Sequence, residues 1–268
     1  MHGLPWAYPR SRWASRSKLM RWSPSKVRDQ RVPGWLTEWE YAHRGLHGEG
    51  VPENSLAGAR LAIERGMGIE CDIQLAADDC PMVFHDWDLK RLIGIEETTN
   101  SLTEDALKAL RYKDSSEGIA TLQELLELIG GQVPLLIEIK SKQGYAFERS
   151  CVAVESVLKC YAGPHAVMSF DPRVARWFRR HSPNTTVGLV MREDEFGSTQ
   201  NGWRRRLVLW IARPDFLAYH IAALPSRWVA RLRARGMPIL TWTINSAATR
   251  QQGLSHADAL IAEGAGLA

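Results

Sequence analysis

From Tyr41 onward, strand-like and helix-like segments take turns about eight times, and this rhythm limits the possible folds more than any other feature. Short apolar runs such as Pro134-Leu135-Leu136-Ile137-Glu138-Ile139-Lys140 read as buried strands. Between them lie amphipathic stretches that open on cap residues. Ser55 to Arg65 follows the turn Pro52-Glu53-Asn54-Ser55, and Thr121-Leu122-Gln123-Glu124 is a capping box whose helix stops at Gly130-Gly131. Strands are also expected at 41–45, 68–73, 165–170, 186–191, 216–221, 239–245 and 259–262. Helices are expected at 102–110, 121–129, 147–161, 171–181, 203–211, 226–235 and 247–255. No internal repeat is visible. The expected fold is α/β, a TIM-type (β/α)8 barrel with a β-hairpin after the second strand. A doubly wound open sheet fits less well, because no glycine-rich phosphate loop follows the first strand.

The hairpin is where the chemistry gathers. Gly68-Ile69-Glu70-Cys71-Asp72-Ile73 places two carboxylates two residues apart, on one side of a strand. The loop Ala77-Asp78-Asp79-Cys80 then leads to Met82-Val83-Phe84-His85, and four residues are too few for a parallel crossover. With the turn centred on that loop, His85 stands opposite Asp72, and directly opposed residues share a face.

Composition narrows the class. The 268 residues are 45% hydrophobic and 24% charged, as in a globular protein with a sizeable core. No apolar run approaches the roughly 20 residues that span a bilayer. The net charge is +4, but residues 1–28 hold seven Lys/Arg and no acid, so the body is close to neutral and gives no argument for nucleic-acid binding. Residues 1–36 read as a basic, disordered arm and 37–268 as the barrel domain. Met20 is a candidate later start, and Trp6, Trp13 and Trp22 among the bases leave open a membrane-surface segment. Cys71, Cys80, Cys151 and Cys160 match neither zinc nor disulfide spacings, which points to reduced thiols and a cytoplasmic setting.

In a barrel the C-terminal strand ends carry the site, and His43, Asp72, Lys140 and Asn245 fall there. Glu70, Asp72 and Glu138 put three carboxylates in one space, where mutual repulsion raises at least one pKa or a cation resolves it. Oxygen-only ligands point to Mg²⁺ or Ca²⁺. A salt-bridge network with Lys140 and Arg44 is the competing reading, although it has no need of His43 and His85. Two histidines beside a hard cation and two permanent positive charges suit phosphoryl-ester chemistry.

Six segments in order then carry a resemblance. His43-Arg44-Gly45, Pro52-Glu53-Asn54-Ser55, Glu70-x-Asp72, His85-Asp86, Glu138-x-Lys140 and Trp242-Thr243-Ile244-Asn245 together resemble the motifs of the glycerophosphodiester phosphodiesterase family. The resemblance covers residues 42–245 and implies a metal-dependent hydrolase that yields sn-glycerol 3-phosphate and an alcohol. It implies His43 and His85 as the acid/base pair, Glu70, Asp72 and Glu138 as metal ligands, and Arg44 and Lys140 as phosphate contacts. An ideal strand turns Arg44 to the face opposite His43, so Arg44 serves only if the chain bends at Gly45. Asn54 is read as a helix cap rather than a ligand. Trp242 lines the pocket or belongs to the core, and Asp86 orients His85 or caps the next turn. The Thr- and Gly-rich stretch that many members carry after His-Asp is replaced by Leu89-Lys90-Arg91-Leu92-Ile93-Gly94, and the insertion before Glu138 is short.

The expected substrate is a small glycerophosphodiester. A lysophospholipase D-like activity on lysolipids is a second reading, motivated by an open pocket and by Gly202-Trp203-Arg204-Arg205-Arg206-Leu207-Val208-Leu209-Trp210, which mixes bases, tryptophans and leucines. The same basic, Trp-rich segments raise a weak membrane-surface association, although an ordinary outer barrel helix explains the latter segment too. A non-catalytic phosphate-binding barrel is a third reading, opposed by the full complement of seven polar residues.

Overall fold

A computed structural model describes residues 32–194, 197 and 199–268; the arm up to residue 31 lies outside the described residues. Eight parallel strands close into a barrel: β1 (Tyr41–Ala42), β2 (Gly68–Leu75), β4 (Leu135–Ile139), β5 (His165–Ser169), β6 (Thr186–Met191), β7 (Phe216–His220), β8 (Ile239–Ile244) and β9 (Ala259–Ala262). β1 pairs with both β9 and β2, which leaves no parallel edge open. A ninth strand, β3 (Pro81–Val83), runs antiparallel on β2 as the hairpin partner. Nine helices among the described residues surround the barrel: α1 (Trp35–Glu38), α2 (Leu56–Glu64), α3 (Glu104–Ala109), α4 (Leu122–Ile129), α5 (Phe147–Leu158), α6 (Pro172–His181), α7 (Gly202–Ala212), α8 (Arg227–Arg233) and α9 (Ala247–His256). The expected elements are all present, with ends shifted by a few residues.

Alternation along each strand divides the core into two layers. On β2, Ile69, Cys71 and Ile73 face the helices, and on β4 Leu135, Ile137 and Ile139 do the same. Tyr41, Leu136, Met168, Val190, Phe216 and Leu240 fill the barrel's interior. Two glycines make room for its large rings. A Cβ on Gly68 would stand 2.6 Å from the Tyr41 ring, and one on Gly188 would collide with Phe216. Leu36 of α1 is fully buried against this inner layer, and the Tyr41 hydroxyl donates to its carbonyl at 3.1 Å. Val32 and Trp35 pack against the same layer.

The helix caps expected from sequence form. Thr121 and Glu124 make a reciprocal capping box, Gly130 takes the left-handed conformation that ends α4, and Ser55 accepts from Gly58 N. The segment between β3 and α4 builds a satellite core of Met82, Phe84, Leu89, Leu107, Tyr112 and Ile119. No helix among the described residues is long and apolar enough to cross a membrane.

Candidate active site

Parallel pairing sets the height of the carboxylates. Asp72 of β2 is in register with Glu138 of β4, and Glu70 lies two residues below Asp72 on the same face. The three are 2%, 2% and 7% exposed, and an oxygen from each lies within 4.8 Å of the others. Lys140, just past the end of β4, donates to Glu138 Oε1 at 3.0 Å and to Asp72 Oδ1 at 3.3 Å. Two of the three carboxylates thus have a cation at hand. Glu70 instead accepts the Arg44 backbone N–H at 3.0 Å.

The electrostatics follow from this division. Burial raises the Glu70 pKa well above the usual range, and the charges of Asp72 and Glu138 add to it, against a smaller pull from Arg44. Burial would raise Asp72 as well, but Lys140, His85, Arg44 and the Asn54 hydrogen bond outweigh it and hold that carboxyl well below the usual range. Burial works against the Lys140 ammonium, yet Glu138 and Asp72 more than compensate and raise its pKa.

Arg44 reaches the site because the strand stops early. β1 ends at Ala42, and Arg44 and Gly45 both take positive φ, 55° and 75°. The chain bends at Gly45 as expected, and Arg44 shares the bend, which turns its guanidinium towards the carboxylates. Nη1 donates to Glu53 Oε1 at 2.8 Å, and Nε lies 3.4 Å from Asp72 Oδ2.

The hairpin register differs from expectation. Ile73, Gln74 and Leu75 pair with Val83, Met82 and Pro81, and Phe84 N donates to the Asp72 carbonyl at 3.0 Å. Phe84, not His85, stands opposite Asp72, because the loop holds five residues, Ala76 to Cys80, rather than four. His85 still lines the site. The chain leaves the sheet after Val83, and the inward Gln74 amide donates to the carbonyls of His85, at 3.0 Å, and of Asp86.

Both histidines are held by a carboxylate through Nδ1. His43 lies 2.6 Å from Glu263 Oε2, and His85 lies 2.7 Å from Asp86 Oδ1. A carboxylate only accepts, so in the neutral ring the proton sits on Nδ1 and the Nε2 lone pair is left for chemistry. His43 Nε2 is 3.9 Å from Glu70 Oε2. Asp86 therefore orients His85, which resolves one alternative. Arg91 bridges it to Glu53 by hydrogen bonds of 2.5–2.9 Å, so a chain of charges runs from His85 through Asp86, Arg91 and Glu53 to Arg44.

Asn54 is neither cap nor pocket ligand; Ser55 caps α2. Asn54 is 3% exposed, donates from Nδ2 to Asp72 Oδ2 at 3.0 Å and accepts from Asp72 N at 3.2 Å. It also has φ of 57°, a left-handed conformation that asparagine tolerates better than most residues. Asn54→Ala is expected to lower stability by roughly 1–3 kcal/mol, read by urea denaturation, and to lower turnover as Asp72 loses its brace. Unchanged stability and turnover would remove Asn54 from this role.

His43, Arg44, Glu70, Asp72, His85, Glu138, Lys140 and Trp242 all line one cavity of about 240 Å³, together with Phe170 and Arg192. Trp242 Nε1 donates to the Ala218 carbonyl at 3.1 Å, and its ring meets Phe170 edge-on at 5.5 Å between centroids. The indole is thus a fixed wall of the cavity. Sequence reasoning missed Glu263, Glu53, Arg91, Phe170 and Arg192.

The three carboxylates suit a hard divalent cation. They offer only oxygens, they are buried, and among the described residues Glu70 accepts from the Arg44 backbone N–H but from no cationic side chain. A second trio, Glu53, His85 and Asp86, converges as closely, but Arg44 and Arg91 already pair with its two carboxylates.

Comparison with known proteins finds similarity along most of the chain. Residues 43–263 match the sequence model of the glycerophosphoryl diester phosphodiesterase family. Glycerophosphodiester phosphodiesterase 1 of Bos taurus is 24% identical over 260 residues, covering 80% of this chain and 74% of that one. A glycerophosphodiester phosphodiesterase of Caldanaerobacter subterraneus subsp. tengcongensis is 40% identical over 162 residues, covering 56% of this chain and 65% of that one. Among solved structures, an Oleispira antarctica phosphodiesterase in complex with the product sn-glycerol-3-phosphate is 25% identical, with a TM-score of 0.74, covering 88% of this chain and 94% of that one.

Proposed function

We propose, from the premise that this chain belongs to the glycerophosphoryl diester phosphodiesterase family and is a phosphodiesterase, that it hydrolyses glycerophosphodiesters to sn-glycerol 3-phosphate and an alcohol with two histidines as acid and base. The observation that carries the reading is the pair of imidazoles, each held at Nδ1 by a carboxylate and each lining the cavity that contains Glu70, Asp72 and Glu138. The solved neighbour that holds sn-glycerol-3-phosphate supports a small-molecule substrate of this kind.

Arg44 and Lys140 supply permanent positive charge for the phosphate's oxygens. One imidazole takes the proton from the attacking oxygen as that oxygen bonds to phosphorus. The other gives a proton to the alcohol oxygen as its bond to phosphorus breaks. Glu263 and Asp86 keep the two rings oriented and stabilise whichever carries charge. Glu70, Asp72 and Glu138 would hold a Mg²⁺ or Ca²⁺ ion. When bound, such an ion neutralises charge that develops on the phosphoryl group. Trp242 and Phe170 give the glycerol or alcohol group an apolar wall.

The test is release of glycerol 3-phosphate from glycerophosphocholine and glycerophosphoethanolamine, in EDTA and then with Mg²⁺ or Ca²⁺ restored. Release that disappears in EDTA and returns with the cation is expected. Undiminished release in EDTA sinks the metal assignment, and no release with either cation sinks the substrate class.

A further inference from the structure

We propose that the outer face of α7, with its neighbour α6, docks on an anionic lipid surface. The proposal rests on Trp203, Leu207 and Trp210 lying exposed in line along α7, beside arginines that form no ion pair among the described residues. It is independent of how the catalytic site works.

Seven large apolar side chains are exposed among the described residues, and three of them lie on this single helix: Trp203 at 62%, Leu207 at 44% and Trp210 at 42%. Their spacing of i, i+4 and i+7 puts them on one stripe. α7 anchors itself to the barrel by its other side, where Leu209 and Ala212 are buried. The exposed stripe is therefore surplus to folding. An outer barrel helix needs one apolar side, and α7 has two.

Charge decides what the stripe would meet. α6 holds four arginines, α7 and α8 three each and α9 one, and none of these four helices contains an Asp or Glu. The helices of the other half differ, since α3 and α4 carry four acids between them. α6 and α7 pack side by side. Several of the arginines are committed, Arg179 to Asp215 and Arg205 to Glu193. Arg176, Arg180, Arg204 and Arg206 are exposed and form no ion pair among the described residues. Guanidinium groups beside exposed indoles and a leucine match a boundary where phosphate headgroups overlie acyl chains. A polyanion such as RNA would use the arginines but leave a hydrophobic stripe in water.

The position is also suitable. α7 follows β6, so its first turn, with Trp203, lies at the end of the barrel that carries the site. Docking along α7 would set the mouth of the barrel beside the lipid surface.

The full chain should co-sediment with vesicles of phosphatidylcholine mixed with phosphatidylglycerol, and not with phosphatidylcholine alone. W203S/L207S/W210S should abolish this, and R204Q/R206Q should weaken it by about fivefold per residue. Both variants should turn over a water-soluble glycerophosphodiester at the wild-type rate, because the substituted side chains lie outside the cavity. The basic segment before residue 32 offers the competing explanation, and it is unchanged in both variants. Equal binding by W203S/L207S/W210S and the wild type would therefore overturn the proposal. So would a wild-type chain that ignores anionic vesicles, or that ignores them and binds RNA instead.

Discussion

Replacing His43 or His85 by alanine should lower turnover by roughly 10²–10⁴-fold, the usual contribution of a positioned acid or base, while the chain keeps its fold. Both side chains sit at the rim, 13% and 29% exposed, so their removal opens no sealed cavity in the core. The double substitution should cost much less than the product of the two, because an acid and a base that serve one transfer fail together. Glu263→Gln is the gentler companion. It keeps a side chain of the same length beside His43 but removes the charge that favours the imidazolium, so a smaller loss is expected. The check is steady-state turnover of glycerophosphocholine alongside thermal melting by circular dichroism. Near-wild-type turnover in His43→Ala or His85→Ala would strike that residue from the mechanism, and loss of the melting transition would show that the effect is structural.

Glu70, Asp72, Glu138 and Lys140 were legible because a strand's two-residue period fixes which side chains share a face, whatever surrounds them. Local rules reached less far where the chain leaves regular structure. One residue of loop length moved the hairpin register, and His85 reaches the cavity through Gln74's hold on the backbone rather than by cross-strand pairing. The bend at Gly45 was legible from the glycine, but nothing in His43-Arg44-Gly45 says that Arg44 takes positive φ as well. Glu263 is 220 residues from His43 and adjoins it only because β9 closes the barrel against β1. No spacing rule could have paired them. Asn54 was misread for the opposite reason: its place beside a helix start offered a sufficient local role, and the role it has depends on β2, reached through the tertiary fold.

Glu70→Gln should raise the stability of the metal-free chain, abolish its stabilisation by Mg²⁺ or Ca²⁺, and abolish turnover. The three effects have one origin. Glu70 is buried beside two other carboxylates, and Lys140 hydrogen-bonds to Asp72 and Glu138 but not to Glu70. Its pKa is raised by burial first and by those neighbours second, so the folded chain retains a proton that the unfolded chain releases. Stability of the metal-free protein therefore falls as pH rises above the ordinary glutamate range, and glutamine removes that contribution. A cation bound only by the folded state reverses the deficit. At a concentration one hundred times its dissociation constant it adds about 2.7 kcal/mol, a melting shift of roughly 5–10 °C for a domain of this size. The salt-bridge reading of the same residues predicts the contrary. If Glu70 serves as a counter-ion to Arg44 and Lys140, glutamine lowers the melting temperature and cations shift neither protein. Melting curves of wild type and Glu70→Gln, in EDTA and with each cation across a pH series, separate the two without reference to catalysis.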